Sequence, residues 1–128
     1  MKKLPFILYL LFVVFVVFIP LNVTGLSEAN KVYVLNFRLD YLIHSLLFLP
    51  WIFIGEISFD KKMRYRKLII FASGIFVASM AELLHYYTPY RAFNINDLIF
   101  NVAGIILGSV VWLFFRRKSS SASVKDNG

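Results

Sequence analysis

Four stretches of the chain, at about 4–21, 39–55, 68–86 and 98–115, are each long and apolar enough to cross a bilayer as a helix. They leave connections too short to hold a soluble domain. The expected fold is therefore all-α: a four-helix transmembrane bundle making one membrane domain over residues 1–118, followed by a tail at 119–128. Composition agrees, because 59% of the 128 residues are hydrophobic and the mean hydropathy is +0.72, whereas soluble domains are roughly 45–50% apolar. The first stretch carries no charge. It is expected to be a retained span rather than a cleaved signal peptide, since its apolar run is longer than a signal's and "PLNVTGLSEAN" offers no A-x-A-like site.

The net charge of +7 raises the question of nucleic acid, and the placement of the cations answers it. Lys2 and Lys3 precede the first span; Lys61, Lys62, Arg64, Arg66 and Lys67 join the second to the third; Arg116, Arg117, Lys118 and Lys125 follow the fourth. Eleven of the 14 basic residues thus fall on one side of a four-span topology. The excess of Lys and Arg in cytoplasmic segments then predicts both termini inside, with the 22–38 and 87–97 loops outside. A multi-pass protein of a cell membrane, with lipid as its surroundings and no nucleic-acid partner, is the expectation. Four spans alone cannot line a pore, so a channel would require a homo-oligomer, and nothing polar is expected in the inner half of the bilayer.

Within the second span Pro50 removes a backbone donor and its ring crowds the preceding turn, which predicts a kink near residues 46–48. "KVYVLNF" in the 22–38 loop is expected as a short irregular or strand-like piece. "SSSASVKDNG" at the C-terminus is polar and small and is expected to be disordered. Trp51 and Trp112 fall near the inner ends and resemble interfacial anchors. The chain has no cysteine, so disulfides, thiolate metal sites and a cysteine nucleophile are excluded. No motif names a cofactor.

The chemistry lies in "AELLHYYTPYRAFNINDLIFN" and its counterpart in the second span. Asp40 stands at the mouth of the second span, with His44 one turn deeper on the same face. Glu82 and His85, three apart, share a face near the outer end of the third. Asp97 begins the fourth, with Asn101 one turn below. Three spans therefore bring polar groups to a common depth, where they can turn inward and pair instead of facing lipid singly. Arg91, in the tight loop between the third and fourth spans, is the expected partner for one carboxylate, or for a ligand's phosphate or carboxylate. Asn94 or Asn96 is positioned to cap the fourth helix. Below the layer, Gly104 and Gly108 are spaced to admit a neighbouring backbone, expected from the third span at Ala78 and Ala81 or at Ser73 and Gly74.

Asp40-x3-His44, then Glu82, then Arg91, then Asp97-x3-Asn101-x2-Gly104-x3-Gly108 resembles the pattern of the VanZ-like family of small membrane proteins. The resemblance covers about residues 38–115 and leaves the first span outside it. Family members commonly carry a lysine after the first aspartate and a glutamine three residues after the glutamate; this chain has Tyr41 and His85 there. The resemblance implies an envelope-related role connected with resistance to the glycopeptide teicoplanin, without implying a settled reaction.

Three readings of the polar layer follow. In the first it is a structural network that binds nothing. In the second Asp40, His44, Glu82, His85, Arg91, Asp97 and Asn101 hold an envelope component such as a lipid head group, a lipid-linked precursor or a glycopeptide. Any catalysis there would fall to His44 with Glu82 or Asp97 as base and orienter, since histidine titrates near neutrality. In the third His44, Glu82, His85 and Asp97 bind a divalent metal such as zinc or manganese.

Overall fold

The computed structural model describes residues 3–18, 31, 33–34, 37–88 and 93–125, with side chains left aside at 33–34, 37–38 and 118–125. Five helices account for nearly all of it: α1 (Leu4–Phe18), α2 (Leu39–Phe48), α3 (Trp51–Ser58), α4 (Arg66–Tyr86) and α5 (Ile95–Lys125). Strands β1 (Tyr33–Val34) and β2 (Phe37–Arg38) form a two-residue antiparallel ladder in register Tyr33 with Arg38, which is the strand-like piece expected in that loop. Three stretches are long and apolar enough to cross a membrane: Leu39–Ser58, Arg66–Tyr86 and Ile95–Arg117. The 15-residue α1 is a shorter apolar helix, and the rest of the 4–21 stretch lies outside the described residues.

Pro50 does more than bend the second span. The chain leaves the helix at Leu49 and Pro50 and resumes as α3, so the break falls two residues after the predicted kink and the span runs on to Ser58. The proline ring removes the donor that would have continued the ladder. That donor would have served the Leu46 carbonyl; at the next carbonyl, Leu47, just before the break, the Tyr9 hydroxyl of α1 donates.

The break also aims Trp51 into the middle of the bundle. Trp51 is fully buried, and its indole N–H donates to the Ile70 carbonyl of α4 at 2.9 Å. Phe6 meets it edge-on at 5.2 Å between ring centroids and Phe48 stacks on it at 5.9 Å. Gly74 makes room, since a Cβ there would lie 2.8 Å from the indole. The expected interfacial anchor is a core residue that holds α1, α2 and α4 together. Trp112 is half-buried against Phe53, edge-on at 5.3 Å, and is also not a free interfacial ring.

The tightest helix contact is between α2 and α5. A Cβ built on Gly104 would lie 2.1 Å from the Ser45 carbonyl oxygen, and one on Gly108 would lie 2.1 Å from that of Leu49. Tyr41 and Phe100, one turn nearer the start of each helix, stack at 5.1 Å. Moving from one pair to the next advances both chains in step, so α2 and α5 run parallel with their first residues at the same end. The expectation that the glycines face the third span is corrected: their partner is the second. The physical reason is that the Ser45 and Leu49 carbonyl oxygens of the second span lie against α5, and only a hydrogen in place of a side chain lets a second backbone approach such oxygens.

Helix α5 continues to Lys125. No Pro or Gly interrupts residues 109–125, so nothing local ends a helix already propagating through the apolar span.

Replacing Gly104 by Ala is expected to destabilise the folded protein by about 1–3 kcal/mol, because a backbone oxygen cannot swing away as a side chain can. Thermal unfolding in detergent, compared with Ala103→Ser on the exposed face of the same helix, measures it.

Candidate functional site

The polar residues assemble at the end of the bundle where α2 and α5 begin and α4 finishes. Local sequence explains each placement. Asp40, His44 and Phe48 repeat every four residues and form the buried face of α2. Ala78, Ala81, Glu82 and His85 form that of α4. On α5 the buried face is Asp97, Asn101, Gly104, Ile105 and Gly108. Because Gly104 lies against α2 while Ile105 points at Gly74 of α4, Asn101 stands where the three helices meet.

Asn94 starts α5 and organises the rim. Its side-chain oxygen accepts from the Asn96 backbone N–H at 3.1 Å, and its carbonyl accepts from the N–H of Asp97 at 3.0 Å, which is the predicted cap. Its amide nitrogen donates to Asp97 Oδ1 at 3.3 Å and to the Tyr41 hydroxyl at 3.4 Å. Asn96 donates to the same hydroxyl at 3.4 Å. The Asn94 backbone N–H reaches Glu82 Oε2 at 3.5 Å, so one residue touches groups from all three helices.

Beneath the rim the groups are sealed from solvent. Glu82 and Asn101 are fully buried and His85 is 1% exposed. Glu82 Oε1 lies 3.3 Å from His85 Nδ1, a close electrostatic contact whose angles fall short of a hydrogen bond. The other ring nitrogen of His85 lies 3.2 Å from the Val17 carbonyl of α1. His44 presents its ring at 6.5 Å from that of His85, nearly perpendicular. Neither amide atom of Asn101 has a hydrogen-bond partner among the described residues.

The structure thus brings together Asp97, Glu82, His85 and His44, with Asn101 below them; Asp40 is buried on the same face of α2 as His44. Arg91 lies outside the described residues. Among the described residues no three His, Asp or Glu side chains converge closely enough to hold a metal ion, and the metal reading is not carried further. Two participants were not among the site residues expected from the sequence: the Val17 carbonyl, a backbone group, and the Tyr41 hydroxyl. Tyr41 and His85 are also the two positions that depart from the family pattern, and both are built into this network.

A second buried charge pair sits at the opposite, basic end. Arg66 Nη2 donates to Glu56 Oε2 at 2.6 Å, with side-chain exposures of 9% and 3%. This corrects the expectation that nothing polar enters that half of the bundle. The signal was present: Glu56 ends an apolar run and Arg66 opens the next, and the short hairpin between them folds one onto the other.

These features define a small helical membrane protein with a buried polar cluster at one end. The family model described as VanZ/LLP1 matches residues 6–116, and the chain belongs to that family. The match takes in α1, which the sequence pattern had left outside. No curated protein and no solved structure matches the chain.

Truncating Arg66 to Ala is expected to cost about 3–5 kcal/mol, because it leaves the Glu56 carboxylate buried without its partner. The double variant Glu56→Gln/Arg66→Met should unfold at a higher temperature than Arg66→Ala, as followed by circular dichroism in detergent.

Proposed function

We propose that this protein works at the outer face of a cell membrane, with both termini on the cytoplasmic side, by binding a polar envelope component at the cluster of Asp40, His44, Glu82, Asp97 and Asn101. The component belongs to the chemistry of lipid head groups, lipid-linked wall precursors or glycopeptides. Teicoplanin susceptibility of the host is the phenotype it would affect. The distribution of Lys and Arg supports the orientation, and the family supports the envelope context.

Asn101 carries the reading. A carboxamide has one acceptor and two donors, and burying such a group unpaired costs about 1–3 kcal/mol. An apolar side chain of similar size would avoid that cost at a point where three helices pack. An amide there is accounted for by a partner that is not part of the chain, offering hydroxyl or amide groups of its own. Binding is favoured over catalysis: His44 with Glu82 or Asp97 could move a proton, but the cluster supplies no nucleophile motif.

The other reading is a self-contained network. It is favoured by the rim, where Asn94, Asn96, Tyr41 and Asp97 already satisfy one another. Asn101→Leu separates the two. If the amide serves a ligand, the variant accumulates to at least the normal level, resists heat as well as or better than the parent, and loses the effect on teicoplanin susceptibility. Unchanged susceptibility at equal protein level leaves the self-contained network.

A further inference from the structure

The chemistry of His85 is fixed by what lies on its two sides. On one side is the Val17 carbonyl at 3.2 Å, which can only accept, so Nε2 carries a hydrogen and donates. Val17 lies in the last described turn of α1, which covers Leu4–Phe18. The Phe18 ring closes over the imidazole edge-on at 6.4 Å.

On the other side is Glu82. With Nε2 protonated, the Nδ1 of a neutral ring is a bare lone-pair nitrogen 3.3 Å from Oε1. If the carboxylate were ionised as well, two electron-rich atoms would face each other with side-chain exposures of 1% and 0% and no water to intervene. A proton between them removes the repulsion. On the nitrogen it makes imidazolium and carboxylate; on the oxygen it makes neutral ring and carboxylic acid. Either way the pair has no net charge.

We infer that Glu82 and His85 share one proton and that this pair fastens the outer end of α1 to the polar cluster, making His85 a positioning residue that holds Glu82 rather than a contact for ligand. The inference does not depend on what the cluster binds. It answers how a carboxylate survives at full burial on α4: its compensation comes from one turn further along the same helix. It also gives α1 a defined place, since the imidazole bridges α4 and the end of α1 while Asn94 touches the far oxygen of the carboxylate from α5 at 3.5 Å. Among the described residues, the His44 ring of α2 faces His85, and Asp97 is tied to Glu82 through Asn94.

Compensation is tested with the full-length protein in detergent. His85→Ala leaves the carboxylate alone, and the folded yield should fall by at least about threefold, as expected for a buried charge stripped of its partner. Adding Glu82→Gln in the same chain removes the charge, so His85→Ala/Glu82→Gln should recover most of that yield. A double variant as depleted as His85→Ala overturns the shared charge.

Two further measurements address geometry. The chain has two histidines, His44 and His85, so nitrogen-15 spectra of labelled protein are assigned by a single His44→Asn variant. The His85 ring should show a protonated Nε2; a bare Nε2 with hydrogen on Nδ1 alone overturns the assignment. Because the chain has no cysteine, Val17→Cys can report on α1 through a side chain that is 2% exposed in the docked helix. Its reaction with a water-soluble maleimide should quicken several-fold when His85→Ala/Glu82→Gln is added. An unchanged rate means that His85 does not fasten α1.

Discussion

The approach of α5 to α2 is the constraint on which the rest depends. In hydrocarbon, helices gain little by hiding apolar surface from a solvent that is itself apolar, so association rests on close packing and on polar contacts. Gly104 and Gly108 bring two backbones together where any Cβ would strike a carbonyl oxygen. That contact sets the parallel register of the two helices. The register then decides that Tyr41 meets Phe100 and that the first turn of α5 reaches the end of α2 carrying Asp40 and His44. The polar cluster is a consequence of the glycine seam one and two turns away.

Pro50 acts on the same contact from the other partner. By interrupting the second span it turns Trp51 into the core, where its N–H finds the Ile70 carbonyl, and places the Leu49 oxygen against Gly108. A proline at this position would cost a soluble helix several kcal/mol, about 3 or more. Here the interruption is matched by the Tyr9 hydroxyl, by a tryptophan that fills the bend and by a glycine that accepts the displaced oxygen. One kinked span is thereby gripped by both α4 and α5.

The apolar runs, their order and the convergence of Asp40, His44, Glu82, Asp97 and Asn101 were legible in the sequence, because lipid imposes a length rule and helical spacing assigns faces. Partners across helices were less so. The glycine spacing shows that something approaches closely, but not which helix, since α2 and α4 both present small residues or exposed oxygens at the right depth. Glu56 and Arg66 lie at span boundaries, where a charge reads equally well as a solvated loop. The Val17 carbonyl has no sequence signature at all: any residue could supply it. Tyr41 and His85 appeared as departures from a pattern, and only their positions in space show them as an acceptor for two asparagines and a bridge to α1.

Glu56 and Glu82, the two most buried carboxylates among the described residues, solve the same electrostatic problem by different means. Glu56 is met by an arginine, a permanent cation on a long side chain that also lies at the basic end of the bundle, where Lys61, Lys62, Arg64 and Lys67 outnumber Asp60. Its neutrality is therefore unconditional. Glu82 is met by a histidine, whose charge depends on a proton, with both groups closed off from water. Had the chain needed only a permanent counter-charge at the polar end, the basic end shows that an arginine can do it. A proton-bearing partner instead keeps the pair neutral, and beside it the buried Asn101 amide is left without a hydrogen-bond partner among the described residues.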